Sequence, residues 1–237
     1  MTTVYSPAMA NLDRILRRHG MMLRGAFLFS TSDTPPSGPT GAPARAVLLI
    51  GHGGGGIWPH FVAWRALFAK PVDHPLDTWS RGVIDPVAAA EGARAVYPSD
   101  KPYMPFQQWA MRAERLRPSP LGVLMHPEFG PWHAYRGALI FGEGEVAEEV
   151  RALNQPAADP IHLCDLCVGK PCQKACPASA HAGEGFQYQN CLTHVHSPAG
   201  AACRDTGCLD RNACPHGAGW RYPADMQAFI MKAFAGL

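Results

Sequence analysis

The amino-acid sequence predicts an α+β fold made of an α/β domain followed by a small cysteine-rich module. Helical and strand-like patterns alternate through residues 1–160, whereas all eight cysteines lie between Cys164 and Cys214. Apolar residues make up 47% of the 237 residues, which is enough for a sizeable core without help from metal. We therefore predict a domain at residues 1–160 with a boundary near residues 155–161, a module at 161–220, and a C-terminal helix at 221–237 that packs back on the first domain.

The first domain begins with a predicted amphipathic helix. Ser6 supplies an N-cap, Pro7 takes the first helical position, and Gly20 suits the C-cap. The apolar run at residues 47–50 predicts a buried central strand. Further strands are predicted at 21–29, 93–97, 121–125 and 134–141, further helices at 59–70, 73–90, 106–116 and from 223 onward, and an acidic helix or turn at 143–153.

The predicted central strand is followed by the glycine-rich turn Gly51-His52-Gly53-Gly54-Gly55-Gly56. A turn of this kind exposes backbone N–H groups where a helix begins, and an anionic ligand can bind there. The turn matches neither the dinucleotide fingerprint nor the phosphate-binding loop with its lysine. It equally suits a sharp bend at which neighbouring backbone approaches closely. His52, Gly53 and Gly54 are therefore candidate ligand-binding residues.

A second candidate site lies in the loop between the predicted strands at 121–125 and 134–141. Histidines in this loop can shuttle protons or ligate a metal near neutral pH. The alternative is a surface hairpin whose histidines bond to the backbone. The candidate residues of this loop are His126, Glu128, Trp132, His133, Tyr135 and Arg136.

The eight cysteines predict a metal site, because thiolates bind soft metals and a bound metal keeps clustered thiols deprotonated. Disulfides would require an oxidising compartment, and no basic-then-apolar leader is present in residues 1–20. Structural zinc favours two short-spaced pairs separated by a longer insert. Here the first four cysteines lie within 13 residues, with gaps of two, four and three.

The segment Cys172-Gln-Lys-Ala-Cys176-Pro177 instead matches the end of a bacterial ferredoxin run, in which the cysteine before proline ligates the other cluster. Gly169 and Pro171 allow the longer gap before Cys172 to bulge outward. Such cross-ligation would give one [4Fe-4S] cluster Cys164, Cys167, Cys172 and Cys214, and a second Cys176, Cys191, Cys203 and Cys208. Basic residues between the cysteines either tune the cluster potentials or form a solvated rim; they are Lys170, Lys174, Arg204 and Arg211.

Composition narrows the classes of partner. The formal net charge is only +2, which gives no indication of nucleic-acid binding or of binding to an anionic membrane surface. No apolar run has the length of a membrane span. We therefore expect a cytoplasmic protein whose partners are a small-molecule ligand and an electron-donor protein.

The cysteine motifs carry a family resemblance. The run from Cys164 to Pro177, the segment Gln189-Asn190-Cys191-Leu192 and the final Cys214-Pro215 are similar to the cluster motifs of epoxyqueuosine reductases and reductive dehalogenases. In those families a nitroreductase-like domain precedes a two-cluster ferredoxin-like module. Residues 77–141 also resemble the cobalamin-processing protein of the methylmalonic aciduria type C group. The resemblance implies a nitroreductase-like first domain and a cobalamin held between it and the module.

The expected function is therefore that of an iron–sulfur redox protein whose two [4Fe-4S] clusters deliver electrons to a cofactor. The resemblance implies that this cofactor is a cobalamin, which the glycine-rich turn and the loop from His126 to Arg136 are expected to bind. One alternative is a corrinoid-dependent reductase of the epoxyqueuosine reductase type, acting on an organic substrate. Another is a ferredoxin-type electron carrier without enzymatic activity.

Overall fold

The computed structural model describes residues 6–144, 149–150, 161–181 and 185–237. The chain divides into two compact units. The first unit comprises the described residues within Met1–His52, Gly56–Arg115 and Ala134–Asp159, and the second those within Gly53–Gly55, Leu116–His133 and Pro160–Leu237. The second unit is thus larger than the predicted module, because it includes residues 116–133 and part of the glycine-rich turn. The predicted boundary at 155–160 and most of the predicted element at 143–153 lie outside the described residues.

Helices and strands alternate along the described chain. In chain order they are α1 (Pro7–Arg17), β1 (Met22–Leu28), β2 (Ala46–Gly53), α2 (Trp58–Arg65), α3 (Pro75–Ala90), β3 (Arg94–Val96), α4 (Phe106–Glu114), β4 (Arg117–Pro118), β5 (Leu124–Met125), β6 (His133–Phe141), α5 (Tyr188–His196), α6 (Ala201–Thr206), α7 (Leu209–Asn212) and α8 (Ala224–Ala235). Short 3₁₀ turns occur at Pro171–Lys174, Pro198–Gly200 and Ala218–Trp220. The architecture is mixed α/β, as predicted.

A four-stranded sheet in the order β1-β2-β6-β3 forms the core of the first unit. Strand β1 pairs antiparallel with β2, and β3 pairs antiparallel with β6. All eight residues of β2 are buried, and its apolar run at residues 47–50 has no exposed surface. The prediction of a central buried strand is therefore confirmed.

Two carboxylates attach helices to the edge strand β1. In α1, the N-cap predicted at Ser6 is confirmed, since its Oγ accepts a hydrogen bond from the Met9 N–H over 3.2 Å. The buried carboxylate of Asp13 in the same helix accepts from the Leu23 N–H over 2.8 Å. At the end of α4, Glu114 accepts from Arg24 Nη2 over 2.6 Å and from the Gly25 N–H over 2.8 Å. These bonds fix both helices against the strand.

The predicted strand at residues 121–125 is mostly a turn. Only Leu124 and Met125 are extended, and they pair with Arg117 and Pro118. The Ser119 N–H donates to the Val123 carbonyl over 2.8 Å, and Gly122 adopts a φ of +75° within this tight turn. The left-handed conformation that glycine tolerates thus interrupts the strand that the apolar run predicted.

In the second unit, α8 packs against α6. Val195, Cys203 and Ala235 are buried together at this contact. Gly207 has a φ of +92°, and a Cβ atom there would lie 2.3 Å from Gln227 Oε1, so only glycine permits this approach. Helix α8 also contacts α5 of the same unit. Its predicted packing on the first domain stays a prediction.

Among the described residues, no helix is long and apolar enough to cross a membrane.

Candidate functional site

Four thiols of the second unit influence one another electrostatically, and we call them the first thiol set: Cys164, Cys167, Cys172 and Cys214. Burial, followed by the neighbouring thiols, raises the pKa of Cys164 to about 11. Burial also raises the pKa of Cys172 and of Cys214. Cys214 joins this set although it follows Cys172 by 42 positions (214 − 172).

The remaining cysteines form the second thiol set: Cys176, Cys191, Cys203 and Cys208. The pKa of Cys191 is raised to about 11, first by burial and then by the other three thiols of this set. Burial likewise raises the pKa of Cys203 and of Cys208. Each set therefore combines cysteines from the two halves of the cysteine-rich segment.

Backbone N–H groups point at the sulfurs of both sets. The Ala180 N–H donates to Cys176 Sγ over 3.3 Å. The backbone N–H groups of Gln173, Leu209 and His216 likewise oppose the rise in the pKa of Cys172, Cys203 and Cys214, respectively. Hydrogen bonds of this kind favour the thiolate over the thiol. In iron–sulfur proteins they also tune the reduction potential of the cluster.

The chemistry of the donors fits two four-iron clusters. All eight cysteines are free of disulfide bonds, and each set offers four thiols. Within the described residues, no group of three or more His, Cys, Asp or Glu side chains could hold a single metal ion. A four-iron cluster does not require such convergence, because each of its four cysteines binds a different iron atom.

All four thiols of the second set line a cavity of about 390 Å³, so a cluster on this set would occupy part of it. All of the cavity's described lining belongs to the second unit. Its apolar wall includes Phe186, Ile230 and Phe234. His181 and Asp210 also line it. Neither residue was predicted to be functional, because nothing in the local sequence pattern distinguishes His181 or Asp210 from ordinary polar residues.

Asp210 is buried in this cavity with a relative exposure of 1%. Its Oδ2 lies 3.5 Å from His181 Nε2, and the His181 ring stacks on Phe186 with ring centres 5.0 Å apart. Burial raises the pKa of Asp210, against the opposing influence of His181. The cavity thus combines thiols, an apolar wall and one buried acid–imidazole pair.

The side chain of Arg211 is held between two aromatic rings. Its guanidinium carbon lies 4.7 Å from the centre of the Trp132 ring and 4.6 Å from that of Tyr222. It also donates to the Pro131 carbonyl. A permanent positive charge is thereby fixed inside the second unit, between Cys208 and Cys214 in the sequence.

The glycine-rich turn is divided between the units, with His52 in the first and Gly53 and Gly54 in the second. His52 is buried in β2. A Cβ atom on Gly53 would lie 2.5 Å from the Phe129 ring, and one on Gly54 would lie 2.9 Å from Trp220. Aromatic side chains of the protein itself therefore fill the space beside these glycines, as expected for a close-packed bend.

The loop residues from His126 to His133 belong to the second unit. His126 Nδ1 accepts from the N–H groups of Glu128 and Phe129 over 3.1 and 3.2 Å, while the Glu128 side chain is exposed. The Trp132 ring has no exposed surface, and His133 Nε2 bonds the Leu124 carbonyl over 2.9 Å. These histidines thus form backbone hydrogen bonds, as in the alternative considered above.

Tyr135 and Arg136 lie in the first unit. The Arg24 guanidinium stacks on the Tyr135 ring at 4.9 Å, and burial raises the pKa of the Tyr135 hydroxyl. Arg136 donates to Asp77 Oδ1 over 2.6 Å and to Ser80 Oγ over 3.0 Å. The described lining of the 390 Å³ cavity contains none of the nine residues predicted to bind a cofactor.

Solved structures of epoxyqueuosine reductases are similar to this chain. A selenomethionine-labelled epoxyqueuosine reductase matches 78% of the chain and 52% of its own length, with 12% identity and a TM-score of 0.48. An epoxyqueuosine reductase with an epoxyqueuosine-modified tRNA-Tyr stem loop matches 78% of the chain and 52% of its own length, with 14% identity and a TM-score of 0.48. The epoxyqueuosine reductase from Bacillus subtilis matches 76% of the chain and 51% of its own length, with 15% identity and a TM-score of 0.46.

The chain thus spans about half the length of these structures. The sequence matches no protein-family model and no curated protein.

Proposed function

We propose that the protein is an iron–sulfur redox protein that carries two [4Fe-4S] clusters, one on each thiol set. The observation that supports this most is the division of eight thiols into two sets of four, each with members from both halves of the cysteine-rich segment. Disulfide scaffolds and single-ion zinc sites do not require this division. Two-cluster ferredoxin modules require this division, because the cysteine before proline in each half ligates the cluster of the other half.

The residues of this chain would hold and tune the clusters. The thiols supply the ligands, and the N–H groups on the sulfurs stabilise negative charge. Partial burial of both sets limits the access of water. When bound, the clusters supply one-electron transfer at low potential.

The identity of the electron acceptor is a separate part of the proposal. The sequence resemblance implies a cobalamin, and that assignment rests on the resemblance alone. A second candidate function is the direct reduction of a small organic substrate. The acid–imidazole pair of His181 and Asp210 at the second thiol set favours it over a simple electron carrier, which would not require such a pair.

Anaerobic purification followed by assays of iron and acid-labile sulfide tests the cluster assignment. We expect about eight iron atoms and about eight sulfides per chain, since each cluster contains four of each. We also expect a brown protein whose absorption bleaches on reduction. A colourless protein that contains stoichiometric zinc would contradict the proposal.

Addition of cobalamin to the reduced protein tests the acceptor separately. If the acceptor is a cobalamin, the cobalamin spectrum changes as electrons leave the clusters, and the complex survives gel filtration. A protein that contains iron and sulfide but neither binds nor reduces cobalamin would exclude this acceptor and leave the cluster assignment intact.

A further inference from the structure

The loop that carries Cys164 and Cys167 exposes large aliphatic side chains. The relative exposures of Ile161, Leu166 and Val168 are 70%, 65% and 95%. Exposed aliphatic residues are common singly, but three within eight positions beside candidate cluster ligands are a feature of interaction surfaces.

The backbone of this loop is held in one shape. Gly169 and Lys170 have left-handed φ angles of +73° and +39°, and the Gln173 N–H donates to the Lys170 carbonyl over 3.0 Å. Arg117 Nη2 bonds Asp165 Oδ2 over 2.6 Å and ties the loop to β4. The aliphatic side chains are therefore presented on a defined surface, which lowers the entropy lost when a partner binds.

The same loop has a positive rim. Lys170 and Lys174 are both exposed. The one acidic side chain of the loop, Asp165, is paired with Arg117 over 2.6 Å. Among the described residues, the two lysines are therefore the unpaired charged side chains that this loop presents. Its electrostatic complement is acidic.

We propose that these residues form the docking surface for an acidic electron-carrier protein of the flavodoxin class. The docking surface consists of Ile161, Leu166, Val168, Lys170 and Lys174. The inference rests on the proposed function, because it assigns the partner that delivers electrons to the cluster on the first thiol set. A small apolar patch with a charged rim suits the brief complexes that redox partners form.

The electron balance of the step is simple. An anionic flavin hydroquinone loses one electron and becomes the neutral semiquinone, and an oxidised cluster gains that electron. No bond forms or breaks and no proton moves. Docking at this surface places the donor beside Cys164 and Cys167, so that the first cluster receives the electron.

The test uses the cluster-loaded protein and purified flavodoxin. Two double variants change the surface, Leu166→Ser with Val168→Ser and Lys170→Glu with Lys174→Glu. Two double control variants make matching changes at exposed residues elsewhere, Val62→Ser with Leu67→Ser and Lys70→Glu with Lys101→Glu. The flavodoxin dissociation constant is measured by calorimetry, and the rate of cluster reduction is measured with flavodoxin and with dithionite.

We expect each double variant to weaken flavodoxin binding at least tenfold and to lower the ratio of the flavodoxin rate to the dithionite rate by a similar factor. Raising the salt concentration should weaken binding to the unmodified protein and affect the charge-reversed variant much less. Both control variants should behave like the unmodified protein.

Equal binding by the surface and control variants would overturn the docking surface, as would binding that is insensitive to salt. Tight binding of a second copy of the chain in place of flavodoxin would also overturn it. Iron and sulfide are assayed in every sample, so a protein that lacks clusters refutes the proposed function itself. A cluster-loaded protein with unaffected variants refutes only the docking surface.

Discussion

The N–H of Cys214 donates to the carbonyl oxygen of Arg211 over 3.2 Å. This bond joins Arg211, in the helix α7 that follows Cys208 of the second thiol set, to Cys214 of the first set. The Arg211 guanidinium lies between the rings of Trp132 and Tyr222. Arg211 thus places a permanent positive charge three positions after one candidate ligand, Cys208, and three positions before another, Cys214.

Replacement of this charge should make the clusters harder to reduce. In Arg211→Met, we expect the equilibrium constant for one-electron reduction of at least one cluster to fall about tenfold, which corresponds to about 59 mV. The physical reason is that a nearby cation stabilises the additional negative charge of the reduced cluster. Redox titration followed by electron paramagnetic resonance measures the shift. Arg211→Lys keeps the positive charge, so its reduction potential should shift less than that of Arg211→Met. Arg14→Met in α1 should leave the potential unchanged. Equal potentials in all three variants would refute a tuning role.

Serine variants of single cysteines can distinguish the proposed ligand sets from sets formed by neighbours in sequence. Cys214→Ser should remove the cluster that Cys164 also binds, and Cys191→Ser should remove the other. Iron content should fall to about four atoms per chain in each variant, since one four-iron cluster remains. In Cys164→Ser the surviving spectrum should match that of Cys214→Ser. A match between Cys164→Ser and Cys191→Ser would contradict the division.

Removal of iron should increase backbone flexibility in the cysteine-rich segment and leave the sheet of the first unit unaffected. The raised pKa values of Cys164 and Cys191, about 11, mean that their thiols stay protonated at neutral pH without metal. The links that clusters would provide between residues 164–176 and 191–214 are then lost. Hydrogen exchange measured by mass spectrometry should become faster at these residues after treatment with a chelator and an oxidant. Strand β2 is the internal control; an equal increase there would indicate global unfolding instead.

The buried ion pair between Arg24 and Glu114 should matter for stability. Their side chains are only 3% and 11% exposed. Glu114→Gln removes the counter-charge of a buried guanidinium, so we expect the free energy of unfolding, measured by urea titration, to fall by about 3 kcal/mol. Glu143→Gln removes the partner of Arg45 in an exposed pair and should change the free energy of unfolding by less than about 1 kcal/mol. Similar effects of both variants would show that burial of the first pair is unimportant.

A comparison of two glycine variants tests the packing of the glycine-rich turn. Gly53→Ala introduces a Cβ atom 2.5 Å from the Phe129 ring, and we expect a loss of about 1–3 kcal/mol in the free energy of unfolding. Gly82→Ala in α3 meets no atom within 4 Å and should raise stability by up to about 1 kcal/mol, because alanine favours helices. Denaturant titrations of both variants provide the measurement. Wild-type stability in Gly53→Ala would show that the turn has room for a ligand.

The first unit was largely predictable from local sequence. The N-cap at Ser6 and the buried run of β2 depend on neighbouring residues, so short patterns are sufficient to find them. The turn at Ser119–Val123 was not found, because its apolar residues resemble a strand while Gly122 selects a left-handed conformation. The membership of residues 116–133 in the second unit depends on contacts between residues distant in sequence, such as that between Arg211 and Trp132.

The candidate site was predictable only in part. Cysteines are rare and their spacing is informative, so all eight candidate ligands could be named from the sequence. The pair formed by His181 and Asp210 could not, since the two residues are 29 positions apart (210 − 181) and neither lies in a motif. The environments of His126 and His133 could not be predicted either, because any histidine in a loop can bond to backbone or to a ligand.

The interleaved thiol sets also have a consequence for biosynthesis. Cys164 and Cys214 belong to one set, so a chain still on the ribosome cannot complete that set until residue 214 has been made. The second set becomes complete slightly earlier, when Cys208 has been added. A truncated product that ends within this interval would therefore expose an incomplete first set to the iron-delivery machinery, and cluster loading on that set would distinguish finished from unfinished chains.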